Sequence, residues 1–147
     1  MTPALQFGQA DPGTDYLPRP AAFGLVFHEE KIACVRVTRD TPYFDLPGGA
    51  IDGDETEQQA LVREFLEETG MTIRPVERIA EGGQYFRKSD GAAVNNLGGF
   101  WIAEMLALEP ALKVEADHEL VWLDPQRALA ELRHDVHAWA VAKWLRR

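Results

Sequence analysis

Three glutamates, Glu64, Glu67 and Glu68, are the residues of this 147-residue chain whose type and spacing could do chemistry. On a helix, positions i, i+3 and i+4 share one face, so the three carboxylates would stand together. Like charges at that spacing repel by roughly 0.2–0.5 kcal/mol per pair. They also fall near the C-terminal end of the helix, where the dipole disfavours anions. A divalent cation reverses that cost. Clustered carboxylate oxygens suit Mg²⁺ or Mn²⁺, which keep some waters and contact substrate phosphates. Arg63 can neutralise one carboxylate and hold its rotamer through a two-pronged contact. For any one of these glutamates alone, a solvated surface is the ordinary alternative.

The element that must carry them is a helix over Ala60 to Thr69, a run without proline or internal glycine. Leu61, Phe65 and Met71, widened by Val62 and Leu66, form its packing stripe. Gly70 is its expected C-cap, and Thr56 or Asp54 its N-cap. Before it, Pro47-Gly48-Gly49 makes a turn in which glycine allows close backbone approach.

These residues together resemble the Nudix box, G-x5-E-x7-R-E-U-x-E-E-x-G-U with U apolar, over residues 49–71. Gly49, Glu55, Arg63, Glu64, Phe65, Glu67, Glu68, Gly70 and Met71 match every fixed position. Asp54 stands where many members have glycine, with Gly53 one residue earlier; no motif ligand is lost. The resemblance implies metal ligation by Glu64, Glu67 and Glu68, completed by the Gly48 carbonyl. It implies that Arg63 orients the cluster, that Glu55 supports it, and that Glu64 is ligand or base. It implies Mg²⁺ (or Mn²⁺) as cofactor and hydrolysis of a nucleoside diphosphate linked to a group X, by water attack on phosphorus. A Nudix-fold module that senses nucleotides without cleaving them is the competing reading, although such modules commonly lose box carboxylates and this chain keeps all of them. The Tyr43-Phe44, Gln84-Tyr85-Phe86 and His137–Val141 stretches also look like those of small bacterial Nudix proteins.

Many members recruit a further carboxylate late in the chain. Glu115, Asp117, Glu119 and Glu104 are the candidates, and Glu119 is favoured because it precedes the last strand. His118 beside it could donate to phosphate, with a plain surface role as the default. Phe44, Tyr85 and Phe86 are the aromatics that could stack on a base. Arg36, Arg39, Arg87 and Lys88 could meet phosphate or ribose. His137 and Trp139 are expected to pack the closing helix.

Around the helix, Ala21–His28 and Lys31–Thr38 read as a hairpin about Glu29-Glu30. Tyr43 to Gly49 is a short strand. Thr72–Ile79 and Gln84–Arg87 form a strand broken or bulged at Gly82-Gly83. Leu97–Leu108 and Glu119–Leu123 are further strands, and helices follow from Asp124-Pro125 to Leu132 and from His134 to Leu145. Residues 1–20 are an extended lead-in with a short strand near Leu5–Phe7. Strands on either side of one long helix, with helices at the end, give an α/β sandwich. The resemblance makes it the Nudix fold, an α/β/α sandwich with a mixed β-sheet, and the length makes 1–147 a single domain.

The formal net charge of −9 argues against binding a nucleic-acid duplex. Eight acids and one base between Asp45 and Glu68 put −7 in one segment (1 − 8 = −7), so an anionic substrate would approach only with its metals. Cys34 is the single cysteine and reads as core, which fits a reducing cytoplasm. No signal peptide or membrane-spanning stretch is expected. The partner is then a small nucleotide, with a homodimer suggested only by relatives.

Overall fold

The structure is a computed structural model and describes residues 5–147. Residues 1–4 of the expected lead-in lie outside it. The strands are β1 (Leu5–Phe7), β2 (Leu17–Leu25), β3 (Phe27–His28), β4 (Lys31–Val37), β5 (Tyr43–Asp45), β6 (Gly48–Ala50), β7 (Met71–Arg87), β8 (Ala93–Leu108) and β9 (His118–Leu123). The helices are α1 (Glu57–Thr69), α2 (Pro125–Glu131) and α3 (Asp135–Leu145).

Five strands form a mixed sheet in the order β1-β7-β8-β2-β6, with β1 and β2 parallel to their β7 and β8 neighbours. A second, antiparallel sheet is built on β4, with β9 along one edge and β3 and then β5 along the other. Leu61 and Phe65 of α1 pack with Ala22, Val26, Ala33 and Ile73 on one side of these sheets. Ala128 of α2 and Val136, Ala140 and Val141 of α3 pack with Phe23, Leu25, Ile32 and Cys34 on the other. The molecule is thus an α/β/α sandwich with two cores, one on each face of the strands. Cys34 lies in the second of these, and burial pushes its thiol up to about 12.

Local chemistry explains most element ends. Thr56 wins the N-cap: its hydroxyl accepts from Gln59 N–H, and the Gln59 side chain accepts from Thr56 N–H. Gly70 closes α1 in the left-handed region at φ 78°. Glu29 and Glu30 take positive φ, 51° and 65°, giving the tight β3–β4 turn whose twist suits a hairpin.

Several boundaries differ from the sequence reading. The expected Tyr43–Gly49 strand is split into β5, in the second sheet, and β6, in the first, and α1 starts at Glu57, ahead of Ala60. The expected Ala21–His28 strand is two: β2 starts at Leu17, inside the expected lead-in, and the chain passes to the second sheet after Leu25. Pro20 is tolerated in β2 because its carbonyl accepts Ile51 N–H beyond the end of β6; its own nitrogen faces that same edge, where β6 has ended. Gly82-Gly83 do not break β7. They pair in register with Gly98 and Leu97, and the register shifts fall earlier, between Thr72 and Ala80. Val136 and the Gln6 side chain approach those glycines where a Cβ would stand, so small residues are kept there for close packing. Finally, β8 begins at Ala93 and shortens the preceding polar loop.

Candidate functional site

Arg63 organises the box. Its Nε donates to Glu55 Oε2 at 2.7 Å and its Nη2 to Glu55 Oε1 at 2.9 Å. Nη1 donates to Glu64 Oε1 and Glu67 Oε1, both at 2.8 Å, and Nη2 also reaches the Ala50 carbonyl at 3.0 Å. One guanidinium therefore ties three carboxylates of the motif to the turn before the helix. This contact, with Asp52 N–H as a second donor, holds the Glu55 carboxyl down at about 2.

Glu68 has a different environment. Its residue is 6% exposed, and burial pushes its carboxyl well above the usual range. Gly48 N–H donates to Oε1 at 3.0 Å. No described residue donates a hydrogen bond to Oε2. Burial likewise raises Glu64. A buried carboxylate without enough donors is costly, and a divalent cation is the group that would offset that cost in an all-oxygen environment. The donor set thus fits Mg²⁺ or Mn²⁺, with Glu64 and Glu68 best placed to hold it.

Both glutamates line a cleft of about 530 Å³. Gly48, Gly49, Glu115 and His118 join them at its acidic end. Arg19, Arg87, Lys88 and Arg133 are basic groups on the same cleft, with Tyr43, Phe86, His134 and His137. The glycines are needed for fit. At Gly49 a Cβ would stand 2.8 Å from the Glu64 carboxyl carbon, and at Gly48, with φ 144°, it would run into the Ala22 carbonyl. The Arg133 guanidinium sits 3.7 Å over the Tyr43 ring and 5.5 Å from the Phe86 centroid, and Arg133 Nη2 donates to Asp45 at 2.9 Å.

The structure divides the expected site residues. Glu64, Glu68, Gly48 and Phe86 line the cleft. Glu55, Arg63 and Glu67 stand behind it as the Arg63 network. Glu119, Arg36 and Phe44 are not on the cleft. Glu119 pairs with Arg36 and Arg36 with Phe44 across adjacent strands, so all three share a sheet face. That face carries Val121, Leu123 and α2, and Phe44 packs into this core under Arg127. Their neighbours one residue away, His118 and Tyr43, point to the cleft instead, because successive strand residues alternate faces. Tyr85 likewise stacks on Tyr16, 4.9 Å between centroids, while Phe86 reaches the cleft. Among the candidate carboxylates, Glu115 lines the cleft, and Glu104 pairs with Arg74 far along β8.

His118 is mostly buried, with a side chain 11% exposed, rather than the surface group expected. Arg39 and Lys88 are on the cleft as the sequence allowed. Arg133 and His134 were missed: they sit between two helices, where no periodicity marks them. His137 packs as expected, 1% exposed, and its Nδ1 accepts Leu46 N–H.

Fold and site together define a small α/β/α protein with an acidic, Arg-tethered helix at a nucleotide-sized cleft. A family model described as the NUDIX domain matches residues 17–145, and the chain belongs to that family. It is 45% identical over 49 residues to a Bacillus subtilis (strain 168) protein named "Putative 8-oxo-dGTP diphosphatase"; this match spans 33% of each chain. A NUDIX hydrolase from Nitrosomonas europaea superposes with TM-score 0.70 at 22% identity, over 86% of this chain and 88% of that one. An ADP-ribose pyrophosphatase from Streptococcus suis 89-1591 superposes with TM-score 0.60 at 18% identity, over 88% and 92%. Among the described residues no helix is long and apolar enough to cross a membrane.

Proposed function

We propose that this protein is a divalent-metal-dependent pyrophosphohydrolase acting on a nucleoside diphosphate derivative. One observation carries the reading: buried carboxylates of the box helix open into the same cleft as a set of cations and aromatics. An anionic diphosphate and a planar base have complementary partners there, in one cavity. When bound, Mg²⁺ or Mn²⁺ would neutralise phosphate charge and lower the pKa of the attacking water.

The chain's own residues have separable tasks. Glu64 and Glu68 would hold the cation. Arg63 fixes the rotamers of Glu64 and Glu67 and ties them to Glu55. Glu115 is the carboxylate outside the box best placed to take the proton of the attacking water. Arg19, Arg87 and Lys88 draw the phosphates or ribose in from the other side. Phe86 and Tyr43 offer ring faces to the base, with Arg133 covering one face of Tyr43.

The substrate class is a nucleoside triphosphate or a nucleotide derivative such as ADP-ribose. The name of the Bacillus relative makes an oxidised deoxyguanosine triphosphate a useful first compound. The protein works as one domain in the cytoplasm and has no nucleic-acid partner, in keeping with its net charge of −9; a homodimer is compatible with this.

The test is a product-release screen over nucleoside triphosphates (8-oxo-dGTP included), ADP-ribose and dinucleoside polyphosphates, with Mg²⁺ and Mn²⁺, using Glu68→Gln as the blank. A substrate cleaved by the parent and spared by the variant supports the hydrolase. Tight nucleotide binding with metal present and no product would replace it with the sensing module.

A further inference from the structure

His118 lies outside the box, and the box motif assigns it no role. Its Nδ1 is 2.8 Å from Asp117 Oδ1, and Asp117 Oδ2 accepts from Arg39 Nε at 2.7 Å. Both carboxylate oxygens of Asp117 are therefore engaged, and the ring can turn only slightly. That contact occupies Nδ1, so Nε2 is the nitrogen turned toward Glu68. Nε2 stands 3.4 Å from Glu68 Oε2, the cleft-facing oxygen to which no described residue donates a hydrogen bond. The separation is longer than a usual N–H···O bond. It is close to the spacing of two donors on one octahedral ion, about 3 Å for bonds of about 2.1 Å.

The geometry points to His118 Nε2 as a nitrogen ligand of the divalent cation, sharing it with Glu68, with Asp117 and Arg39 as the outer pair that aims the ring. A carboxylate that holds the far nitrogen of a metal-bound histidine is the usual way to fix ring and tautomer. This extends the metal site of the proposed hydrolase and rests on that reading. The chemical consequence is ion choice. Carboxylates and water suit Mg²⁺ and Mn²⁺ alike, whereas an imidazole shifts preference away from Mg²⁺ toward transition ions. Asp117 is here a positioning residue, since its own oxygens are taken.

The test is pulsed EPR of the full-length protein loaded with Mn²⁺, together with Mn²⁺ and Mg²⁺ titrations. The expected result is a ¹⁴N coupling of a directly bound nitrogen in the parent, absent in His118→Gln. Mn²⁺ affinity should fall roughly tenfold or more in that variant, and by a similar factor in Asp117→Asn. Mg²⁺ affinity should fall less. Mn²⁺ bound without a nitrogen coupling in the parent overturns the histidine ligand while leaving the oxygen site and the hydrolase standing. A coupling that persists in His118→Gln assigns the nitrogen elsewhere and also overturns it. No Mn²⁺ binding at all removes the metal site itself, and with it the hydrolase reading.

Discussion

Arg63 grips Glu55 with two parallel hydrogen bonds, Nε to Oε2 at 2.7 Å and Nη2 to Oε1 at 2.9 Å, across the turn that leads into α1. The same guanidinium has a donor left for Glu64 and Glu67, so the loop and the helix face are locked by a single planar group. Lysine keeps the charge but cannot span this arrangement. Arg63→Lys should retain the fold, lower activity at least about tenfold, and lower stability by roughly 1–3 kcal/mol. Activity assays beside urea titrations check this; parental rates would separate Arg63 from the site.

Glu68 is held at a cost to the fold. Glu68→Gln keeps the acceptor for Gly48 N–H and removes the buried charge. Without metal, the variant should be as stable as the parent or more so at neutral pH, while hydrolysis falls by about a hundredfold or more. Thermal melts in a chelator and with Mn²⁺ test both halves. The parent should gain stability from the ion, by about 2.7 kcal/mol at a hundred times its Kd, and the variant should gain much less.

Gly49 gives a purer steric test. The nearest atoms an added Cβ would meet are those of the Glu64 carboxyl group, at 2.8 to 3.0 Å. Gly49→Ala should displace that carboxylate and cut activity and metal affinity. Gly48→Ala should instead damage the fold, because its φ of 144° and the Ala22 carbonyl leave no room. Comparing melting temperatures with Mn²⁺ affinities distinguishes the two.

Phe86 and Phe44 were equivalent in the sequence and are not in the structure. Phe86→Ala should raise KM with a modest loss of stability. Phe44→Ala removes a partly buried ring packed against the core under α2 and should cost less than the about 3–5 kcal/mol of a fully buried Phe, with little change in KM for the molecules that fold. The opposite pattern would mean that the base binds on the other face.

Burial holds His134 at about 3 and His137 well below its ordinary value. A base whose pKa is depressed by folding takes no proton in the native state, while the unfolded chain takes one below about 6.5. Each such histidine therefore lowers stability as pH falls from about 6.5, by up to about 1.4 kcal/mol per pH unit, down to about 3 for His134. Buried Glu64 and Glu68 run in the opposite sense without metal, because burial raises them. Stability of the parent relative to His134→Gln isolates the histidine: the difference should move against the parent as pH falls from 7 to 5. A difference that stays flat would mean that His134 takes its proton over the same pH range in the folded and the unfolded chain.

The sequence by itself determined the carboxylate helix and its C-terminal end, because those depend on local chemistry: the spacing of Glu64, Glu67 and Glu68, the left-handed Gly70, and the glycine turn before them; it narrowed the N-cap to Thr56 or Asp54. It also determined the layered α/β arrangement, since apolar periodicity and strand propensity are local. Which residues face the cleft was decided only by tertiary structure. Strand side chains alternate with period two, so deciding between Glu119 and its neighbour His118, Phe44 and Tyr43, or Tyr85 and Phe86 depends on which face of the sheet meets which helix. For the first two pairs that depends on the pairing of β4 with β5 and with the distant β9, and for the last on the pairing of β7 with β8 and β1. The burial that raises Glu68 and the placement of Arg133 over Tyr43 have the same origin. They come from surfaces that meet only when the two sheets close around α1 on one side and α2 and α3 on the other.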